Sequence, residues 1–351
     1  MPCPDSAPVP APGASAGPAC TRRRWLARSL PAAVGAALAA ATAPPTPARG
    51  RTAVPEPGAG EFATITLVQC HLDDQGFTPG RIDGRSGEFT RKAVTLFNRS
   101  RGHPQPGDWG PVLAEARREL GARHAVYQVR EQDLQWVDPD LPHEPEQQAK
   151  WDTMPYRSLL ELVAERYHCD ERLLARLNPR LDLARLRPGD LVIAPNVTPF
   201  RIHTWAAARR FADRPELARQ SVVIDTEGRL ALFYRGDTIV AAMPITPGQE
   251  HMIPRGRWSL VNLVPMPNFR WDRQMLEQGV RSDQAHLLPP GPNNPVGILW
   301  AGLSRSGIGL HGTAEPATIG RARSAGCVRF ANWDAARLPD LIRPGSTVEV
   351  V

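Results

Sequence analysis

The chain has 351 residues, and its 42 Lys and Arg against 36 Asp and Glu give a formal net charge of +6. This excess is too small for an extended nucleic-acid-binding surface, so we predict no nucleic-acid partner. The length allows two or three domains, and 37 Pro and 29 Gly predict many loops and few long helices. The sequence lacks Cys-x-x-Cys spacing and its His residues are scattered, so we predict no metal and no other cofactor.

Residues 1–43 have the pattern of a secretory signal peptide. Three consecutive arginines at 22–24 precede an apolar run at 30–43 that is too short to span a bilayer comfortably. The arginines are typical of a twin-arginine signal. We predict cleavage after Ala41 and export to the periplasm or cell envelope, with an uncleaved membrane anchor as the alternative. A linker rich in Pro, Ala and Gly follows at 44–60.

Residues 61–122 predict a small helical domain. One helical stripe includes Leu67, Cys70 and Leu72, and a second lies at 90–97, with a turn at 80–84 between them. The segment resembles the small helical peptidoglycan-binding module. The resemblance rests on Gly76-Phe77, Ile82-Asp83-Gly84, Thr90-Arg91-Lys92-Ala93 and Phe97. It implies binding to the cell wall, and a plain spacer is the alternative.

Residues 123–198 predict the order strand, helix, helix, strand. The strands are expected at 125–129 and 191–193, the helices at 156–167 and 170–177, and a polar loop at 137–149. With Leu-Asn-Pro at 177–179 and Pro-Gly-Asp at 188–190, the segment resembles a LysM-type βααβ module with an insertion after its first strand. The resemblance implies contact with glycan strands. The alternative is a domain that only packs on its neighbour.

A connector at 199–220 leads to a β-rich C-terminal domain at 221–351. Apolar or alternating runs predict strands at 221–225, 230–234, 238–242 and 259–264, separated by turns that contain Gly or Pro. Several short strands of this kind predict a β-sandwich. We predict that Trp271, Trp300 and Trp333 pack in its core.

One His and one Cys stand sixteen positions apart near the end of the chain, His311 and Cys327. The Gly, Pro, Ala and Thr residues between them predict a loop, in which a thiol and an imidazole can meet. A thiolate is the reactive form of cysteine, and an adjacent imidazole accepts the thiol proton. The backbone N–H groups of Gly326 and Cys327 are candidates for binding an oxyanion. Arg329 would favour a thiolate and an anionic substrate.

The residues around this pair resemble the catalytic motif of the YkuD-type L,D-transpeptidases. The matching positions are His311-Gly312-Thr313, Ser324, and Gly326-Cys327-Val328-Arg329, with further likeness at 289–295 and 332–334. Ala325 departs from the motif, because many members have His there. The resemblance covers 221–351 and implies a mostly-β catalytic domain with the Cys motif along one edge of a cleft. The fold class we predict is multidomain α+β: a mostly-β YkuD-type sandwich preceded by a small helical peptidoglycan-binding-like domain and a LysM-like βααβ domain.

The resemblance also implies the roles of individual residues. Cys327 is the nucleophile, His311 acts as base and then as acid, and the carbonyl of Gly312 holds the imidazole. The remaining positions are implied at the oxyanion or substrate-binding site, namely Gly326, Ser324, Arg329 and Thr313. For Arg329 two roles stay open, since it can bind a substrate carboxylate or brace the loop through a buried acid such as Asp334.

By the same resemblance, the acyl donor is a tetrapeptide stem of peptidoglycan and the acceptor is an amine. Carbapenem β-lactams are expected to acylate the cysteine. Two alternatives remain: water as acceptor, which gives an L,D-carboxypeptidase, and a non-catalytic wall-binding protein. The intact Cys and His count against the second alternative.

Three cysteines follow the predicted signal peptide, Cys70, Cys169 and Cys327. If Cys327 is kept free for chemistry, Cys70 and Cys169 remain as the two that can pair. A disulfide between them is therefore one hypothesis for the N-terminal half.

Overall fold

The computed structural model describes residues 61–351 except 208–209, 250–252, 254 and 323–325. The predicted signal peptide (1–43) and linker (44–60) lie outside the described residues. All described residues belong to one compact unit, Arg49–Val351. No helix among them is both long and apolar enough to cross a membrane.

Three helices begin the described chain: α1 (Glu61–Asp74), α2 (Glu88–Ser100) and α3 (Trp109–Leu120). The first two confirm the predicted helical stripes. Gly84 lies in the turn between them with φ +69°, and a Cβ there would approach the Phe62 ring to 2.2 Å. Only glycine fits this turn without strain. The helices share an apolar cluster that also includes Leu230 and Ala242 from the C-terminal sheet.

The next segment contains β1 (His124–Gln128), α4 (Pro145–Gln148), α5 (Leu159–Arg166), α6 (Glu171–Leu177) and β2 (Leu191–Pro195). The two strands are antiparallel, with His124 opposite Pro195 and Gln128 opposite Leu191. The predicted strands and the two longer helices are confirmed. The predicted loop at 137–149 instead contains α4, a single turn with Pro at its start, where a missing N–H is harmless.

The C-terminal half is mostly strand. Its strands are β3 (Ser221–Asp225), β4 (Leu230–Arg235), β5 (Thr238–Pro244), β6 (Gly256–Pro265), β7 (Phe269–Trp271), β8 (His286–Leu288), β9 (Leu299–Leu303), β10 (Gly309–His311), β11 (Val328–Arg329) and β12 (Thr347–Val350). Its helices are α7 (Ile202–Ala207), α8 (Arg273–Gln278), α9 (Asn332–Ala335) and α10 (Leu338–Leu341). The four strands predicted in this half are confirmed as β3, β4, β5 and β6.

These strands form one mixed sheet in the order β11-β10-β9-β6-β12-β3-β4-β5, while β7 and β8 form a separate pair. The predicted sandwich of two sheets is therefore wrong in its layering. The reason lies in β6, whose first residues, 256–259, pair with β12 and whose later residues, 260–265, pair with β9. A register shift between Leu260 and Asn262 separates the two halves. A bulge of this kind bends a strand, so a single sheet curls instead of splitting.

Cys70 and Cys169 are both buried free thiols, so the hypothesis of a disulfide between them is wrong for this structure. Burial raises the pKa of each thiol. Both side chains pack in the same apolar core, where they act as small hydrophobic residues.

A buried polar cluster joins α1 to α9 and to the residue before α10. The Asp73 carboxylate accepts from the Arg337 guanidinium at 2.6 Å and lies 2.9 Å from Nδ1 of His168. Arg337 also lies 3.5 Å from Asp334, which accepts from the Thr78 hydroxyl at 3.3 Å. Residues far apart in the sequence thus share one set of buried charges, and the helical segment is fixed on the C-terminal half.

Candidate active site

The parallel pairing of β10 with β11 brings the predicted catalytic residues together. Leu310 pairs with Val328 and His311 with Arg329. Cys327 directly precedes β11, so it lies level with Gly309, two residues before His311 on the neighbouring strand. Residues two apart along a strand face the same side of the sheet, which puts the thiol and the imidazole on one side. The predicted loop between His311 and Cys327 starts directly after β10 and ends before β11, and these two short strands position the two side chains.

His311, Gly326, Cys327 and Arg329 line one cleft of about 820 Å³. One wall comes from β7, α8 and the residues that follow α8, and the other from β9, β10 and the residues around the start of β11. The walls carry two tryptophans and four arginines, Trp271, Trp300, Arg270, Arg281, Arg305 and Arg329. This volume falls within the range of small-molecule and peptide sites.

The His311 imidazole is buried, and its orientation is fixed. Nδ1 lies 2.6 Å from the carbonyl oxygen of Gly312, which is the contact that the resemblance implies. A carbonyl only accepts, so Nδ1 carries the proton and Nε2 is the basic nitrogen. The Trp300 ring stacks on the imidazole at 5.9 Å between centroids. Burial lowers the pKa of His311 to about 4, and the Arg329 charge adds to this effect.

The Cys327 thiol is partly buried, and Sγ donates to the carbonyl of Gly307 at 3.5 Å. Burial raises the pKa of this thiol, although the backbone of Gly309 and the Arg329 charge both act to lower it. Arg329 therefore acts in the predicted direction, towards the thiolate, but desolvation outweighs its effect. The resting site contains a neutral thiol and a neutral imidazole.

Arg329 does not brace the loop through Asp334. Among the described residues no carboxylate lies within ion-pair distance of its guanidinium, and its Nε is buried without a hydrogen-bond partner. Asp334 is bound by Arg337 and Thr78 instead. Since Arg329 also lines the cleft, its charge acts on Cys327, on His311 and on any ligand bound in the cleft.

Thr313 and Ser324 differ from the other predicted site residues. Thr313 is buried and is absent from the cleft lining; its N–H donates to Asn332 Oδ1 at 3.2 Å, and its hydroxyl accepts from the N–H of Glu315. We therefore correct its role from substrate contact to support of the turn. Ser324 lies outside the described residues, as does Ala325. Gly326 lines the cleft as predicted.

Sequence reasoning missed the position of two aromatic residues. Trp271 and Trp300 were expected in the core, yet both are half-buried and line the cleft. Trp333 is 2% exposed and confirms the expectation for the core. The neighbouring glycines at 297 and 307 lie in turns and Gly302 lies in β9, but the sequence alone does not distinguish a cleft wall from a core.

One group of side chains among the described residues has the spacing of metal ligands, His71, Glu115 and Glu119. These residues lie on α1 and α3, and none of them lines the cleft. Both acids also face arginines, Arg101 at 3.7 Å from Glu115 and Arg118 at 3.3 Å from Glu119. The cleft itself offers Cys327 and His311 for nucleophilic chemistry.

Comparison with known proteins agrees with this site. Residues 219–350 match the family model of the YkuD L,D-transpeptidase catalytic domain. The chain is 26% identical over 192 residues to a putative L,D-transpeptidase YkuD of Bacillus licheniformis, covering 54% of this chain and 92% of that protein. It is 26% identical over 201 residues to a probable L,D-transpeptidase ErfK/SrfK of Salmonella typhimurium, covering 55% of this chain and 59% of that protein. A solved L,D-transpeptidase from Mycobacterium smegmatis is 18% identical with a TM-score of 0.31, covering 38% of this chain and 58% of that one.

The strands and the cleft define a domain built around a cysteine and a histidine on two paired strands. Residues 219–350 are similar to the catalytic domain of the YkuD-type L,D-transpeptidases. The match to the Bacillus protein covers 54% of the chain, so that similarity also extends on the N-terminal side of residue 219.

Proposed function

We propose that this chain is an exported L,D-transpeptidase that remodels peptidoglycan through a cysteine acyl-enzyme. The observation that carries the proposal is the meeting of Cys327 and His311 in one cleft, with Nδ1 of the imidazole held by Gly312. That hydrogen bond leaves Nε2 as the basic nitrogen on the ring.

In the first half-reaction Cys327 Sγ attacks the carbonyl carbon of the third residue of a tetrapeptide stem. The thiol proton passes to Nε2 of His311 as the carbon–sulfur bond forms. The oxyanion of the tetrahedral intermediate is bound by backbone N–H groups near Gly326 and Cys327. The carbon–nitrogen bond then breaks, and the imidazolium returns its proton to the leaving D-amino acid.

In the second half-reaction an amine of another stem attacks the thioester. His311 removes a proton from that amine, the new amide bond forms, and the thiol leaves with the proton. This is a ping-pong scheme, because the first product leaves before the amine reacts with the acyl-enzyme. The neutral resting pair suits it, since each half-reaction begins and ends with an uncharged imidazole and an uncharged thiol or thioester in a buried site.

The charge of the cleft supports an anionic donor. Four arginines line it, and Asp272, the one acidic residue among its described lining residues, is bound by Arg270 at 2.6 Å. The Ser282 hydroxyl also donates to this carboxylate, at 2.9 Å. The lining therefore has unbalanced positive charge, which attracts the carboxylates of a peptide stem.

The N-terminal segments are proposed to bring the enzyme to its polymer. The signal pattern at 1–43 supports export, and the peptidoglycan-binding-like and LysM-like segments support contact with the glycan strands. Their packing on the sheet through Asp73 and Arg337 supports a fixed orientation of any such contact relative to the cleft.

The test is to incubate the mature protein with a disaccharide-tetrapeptide, with and without an amine acceptor, and to follow products and protein by mass spectrometry. The proposal predicts a thioester adduct on Cys327, release of the terminal D-residue, and a crosslinked product only when the amine is present. A tripeptide product that forms equally with and without amine would identify an L,D-carboxypeptidase. A folded protein that binds the polymer without any adduct would contradict both enzymatic functions.

A further inference from the structure

The side-chain amide of Asn332 fills a gap beside the catalytic histidine. Its Oδ1 accepts from the N–H of Thr313 at 3.2 Å and from the N–H of Ile298 at 3.3 Å. A Cβ on Gly312 would approach this oxygen to 2.2 Å, and one on Gly297 to 2.0 Å. The backbone that follows His311 is thus packed directly against Asn332.

The other end of this amide faces Glu165, a residue of α5 and not of the catalytic domain. Nδ2 of Asn332 donates to the two Glu165 oxygens at 3.2 Å and 3.1 Å, and to the carbonyl of Pro292 at 3.1 Å. The Tyr156 hydroxyl donates to the same carboxyl group at 2.7 Å. Glu165 is 6% exposed, and Asn332 is fully buried.

Glu165 is an unusual residue to bury here. Burial raises the pKa of its carboxyl group to about 8, partly offset by the bonds from Tyr156 and Asn332, and the nearby Glu161 charge also raises it. Among the described residues no cation forms an ion pair with it. A buried acid without a cation costs stability, and an apolar residue of similar size is usually tolerated as well or better. Stability alone therefore does not account for this side chain.

What the carboxyl group does is fix which way the amide points. An amide has an NH₂ end and an oxygen end, and its two ends are interchangeable in shape. A protonated Glu165, which its raised pKa favours at neutral pH, still keeps a carbonyl oxygen that accepts, and Pro292 supplies a second acceptor on that side. The NH₂ end therefore faces these two residues. The oxygen end then faces the N–H groups of Thr313 and Ile298. If the amide turned over, NH₂ would face two donors and both sides would lose their hydrogen bonds.

We propose that Glu165 is a positioning residue for His311, acting through Asn332 on the 311–313 turn. The helix that carries it lies outside the match to the catalytic domain at 219–350. The LysM-like segment therefore contributes a residue that supports the active site, in addition to any part in binding glycan. The proposal rests on the proposed function only in taking His311 as the catalytic base.

The experiment uses the full chain with ¹⁵N-labelled histidine, and compares the wild type with Glu165→Leu and Glu165→Gln. Leu removes the acceptor, whereas Gln keeps an oxygen for Asn332. The proposal predicts that the His311 ring nitrogens of the Leu variant move away from the pure Nδ1–H pattern and that acylation of Cys327 slows at least tenfold. The Gln variant should restore the wild-type spectrum and stay within about threefold in rate. Glu161→Leu is the matched control, because Glu161 lies one turn earlier on α5 and accepts from the Arg157 N–H instead.

A folded Glu165→Leu variant with the wild-type His311 spectrum would overturn the proposal. If that variant does not fold, Glu165→Asp decides, since it keeps the acid but withdraws the oxygens from Asn332 by about one 1.5 Å bond. The same spectral change is expected there, and a wild-type spectrum would overturn the proposal. The spectra report the histidine whether or not stems are turned over, so failure of the proposed function would appear separately, as a wild type that is never acylated.

Discussion

Cys327 and His311 are both uncharged at neutral pH. Burial raises the pKa of the thiol above its ordinary value and lowers that of the imidazole to about 4. Both shifts remove charge from a poorly solvated site, as desolvation does. The charged thiolate–imidazolium pair is therefore not the resting form, and the proton moves only as the substrate carbonyl is attacked.

This assignment predicts the pH dependence of thiolate absorbance. The difference at 240 nm between the wild type and Cys327→Ser should be absent at pH 7 and should appear only as the pH rises above about 9, the ordinary region of an unactivated thiol. The result that would contradict it is a signal at pH 7 that disappears on acidification toward pH 4, since that signal would belong to an ion pair.

Arg329 allows a second prediction at the scale of one residue. Its guanidinium has no carboxylate partner among the described residues, so Arg329→Gln should leave the melting temperature within about 2 °C of the wild type. The apparent KM for an anionic stem should rise roughly tenfold, an effect of about 1.4 kcal/mol. Arg235→Gln, an exposed charge outside the cleft lining, is the control. A large loss of stability in Arg329→Gln would contradict this and would support the alternative that Arg329 braces the loop.

At the scale of elements, the turn after β5 supports the residues before Cys327. A Cβ on Gly248 would lie 2.6 Å from the carbonyl oxygen of Gly326 and 2.7 Å from its Cα. These are backbone atoms, so they cannot yield as a flexible side chain does.

We therefore predict that Gly248→Ala displaces Gly326 and Cys327 and lowers the rate of acylation at least tenfold. Gly107→Ala is the matched control, because a Cβ there meets nothing within 4 Å. Acylation rates measured by mass spectrometry on both folded variants decide the matter. Equal rates in the two variants would show that the turn after β5 does not hold the catalytic backbone.

The sequence predicted the elements better than their assembly. Hydrophobic periodicity was sufficient to predict two sets of elements, the helices α1, α2, α5 and α6 and the strands β1 to β6, because each has a local pattern of apolar residues. It failed for β10 and β11, whose two or three residues are too short for any period and exist only through pairing with each other. It also failed for the layering of the sheet, because the register shift in β6 has no signature in composition.

The candidate site shows the same division. His311, Gly312, Gly326, Cys327 and Arg329 were visible as a motif, since their chemistry requires those residue types at fixed spacing. Glu165 was not visible, because its contact with Asn332 joins positions 167 residues apart and neither forms a local pattern with the other. The cleft positions of Trp271 and Trp300 were not visible in the sequence either, because their exposure depends on where the cleft opens.

At the scale of the whole molecule, the described N-terminal segments and the sheet share their cores and buried charges. Asp73 and Asp334 are both fully buried, and Arg337 is the cation that faces them. Burial of Asp334 raises its pKa to about 7, and Arg337 acts against that shift. Loss of this cation would leave Asp73 with the His168 ring and Asp334 with the Thr78 hydroxyl as their remaining partners.

Arg337→Met should therefore lower the free energy of unfolding by about 3 kcal/mol, the lower end for breaking a buried ion pair. Urea denaturation followed by circular dichroism gives this value, and tryptophan fluorescence should give the same single transition if the halves unfold together. Arg214→Met is the control, because its ion pairs with Glu216 and Asp340 are exposed and should contribute little to stability. Equal losses in the two variants, or two separated transitions, would contradict a shared core.

The central claim is that Cys327 is the nucleophile and loses its proton to His311 only as it attacks. The measurement that tests it most directly is the intact mass of the purified chain after incubation with a carbapenem, alongside Cys327→Ala. The account predicts a single covalent adduct on the wild type and none on the variant. A folded wild type without an adduct, or an adduct that persists in Cys327→Ala, would contradict it.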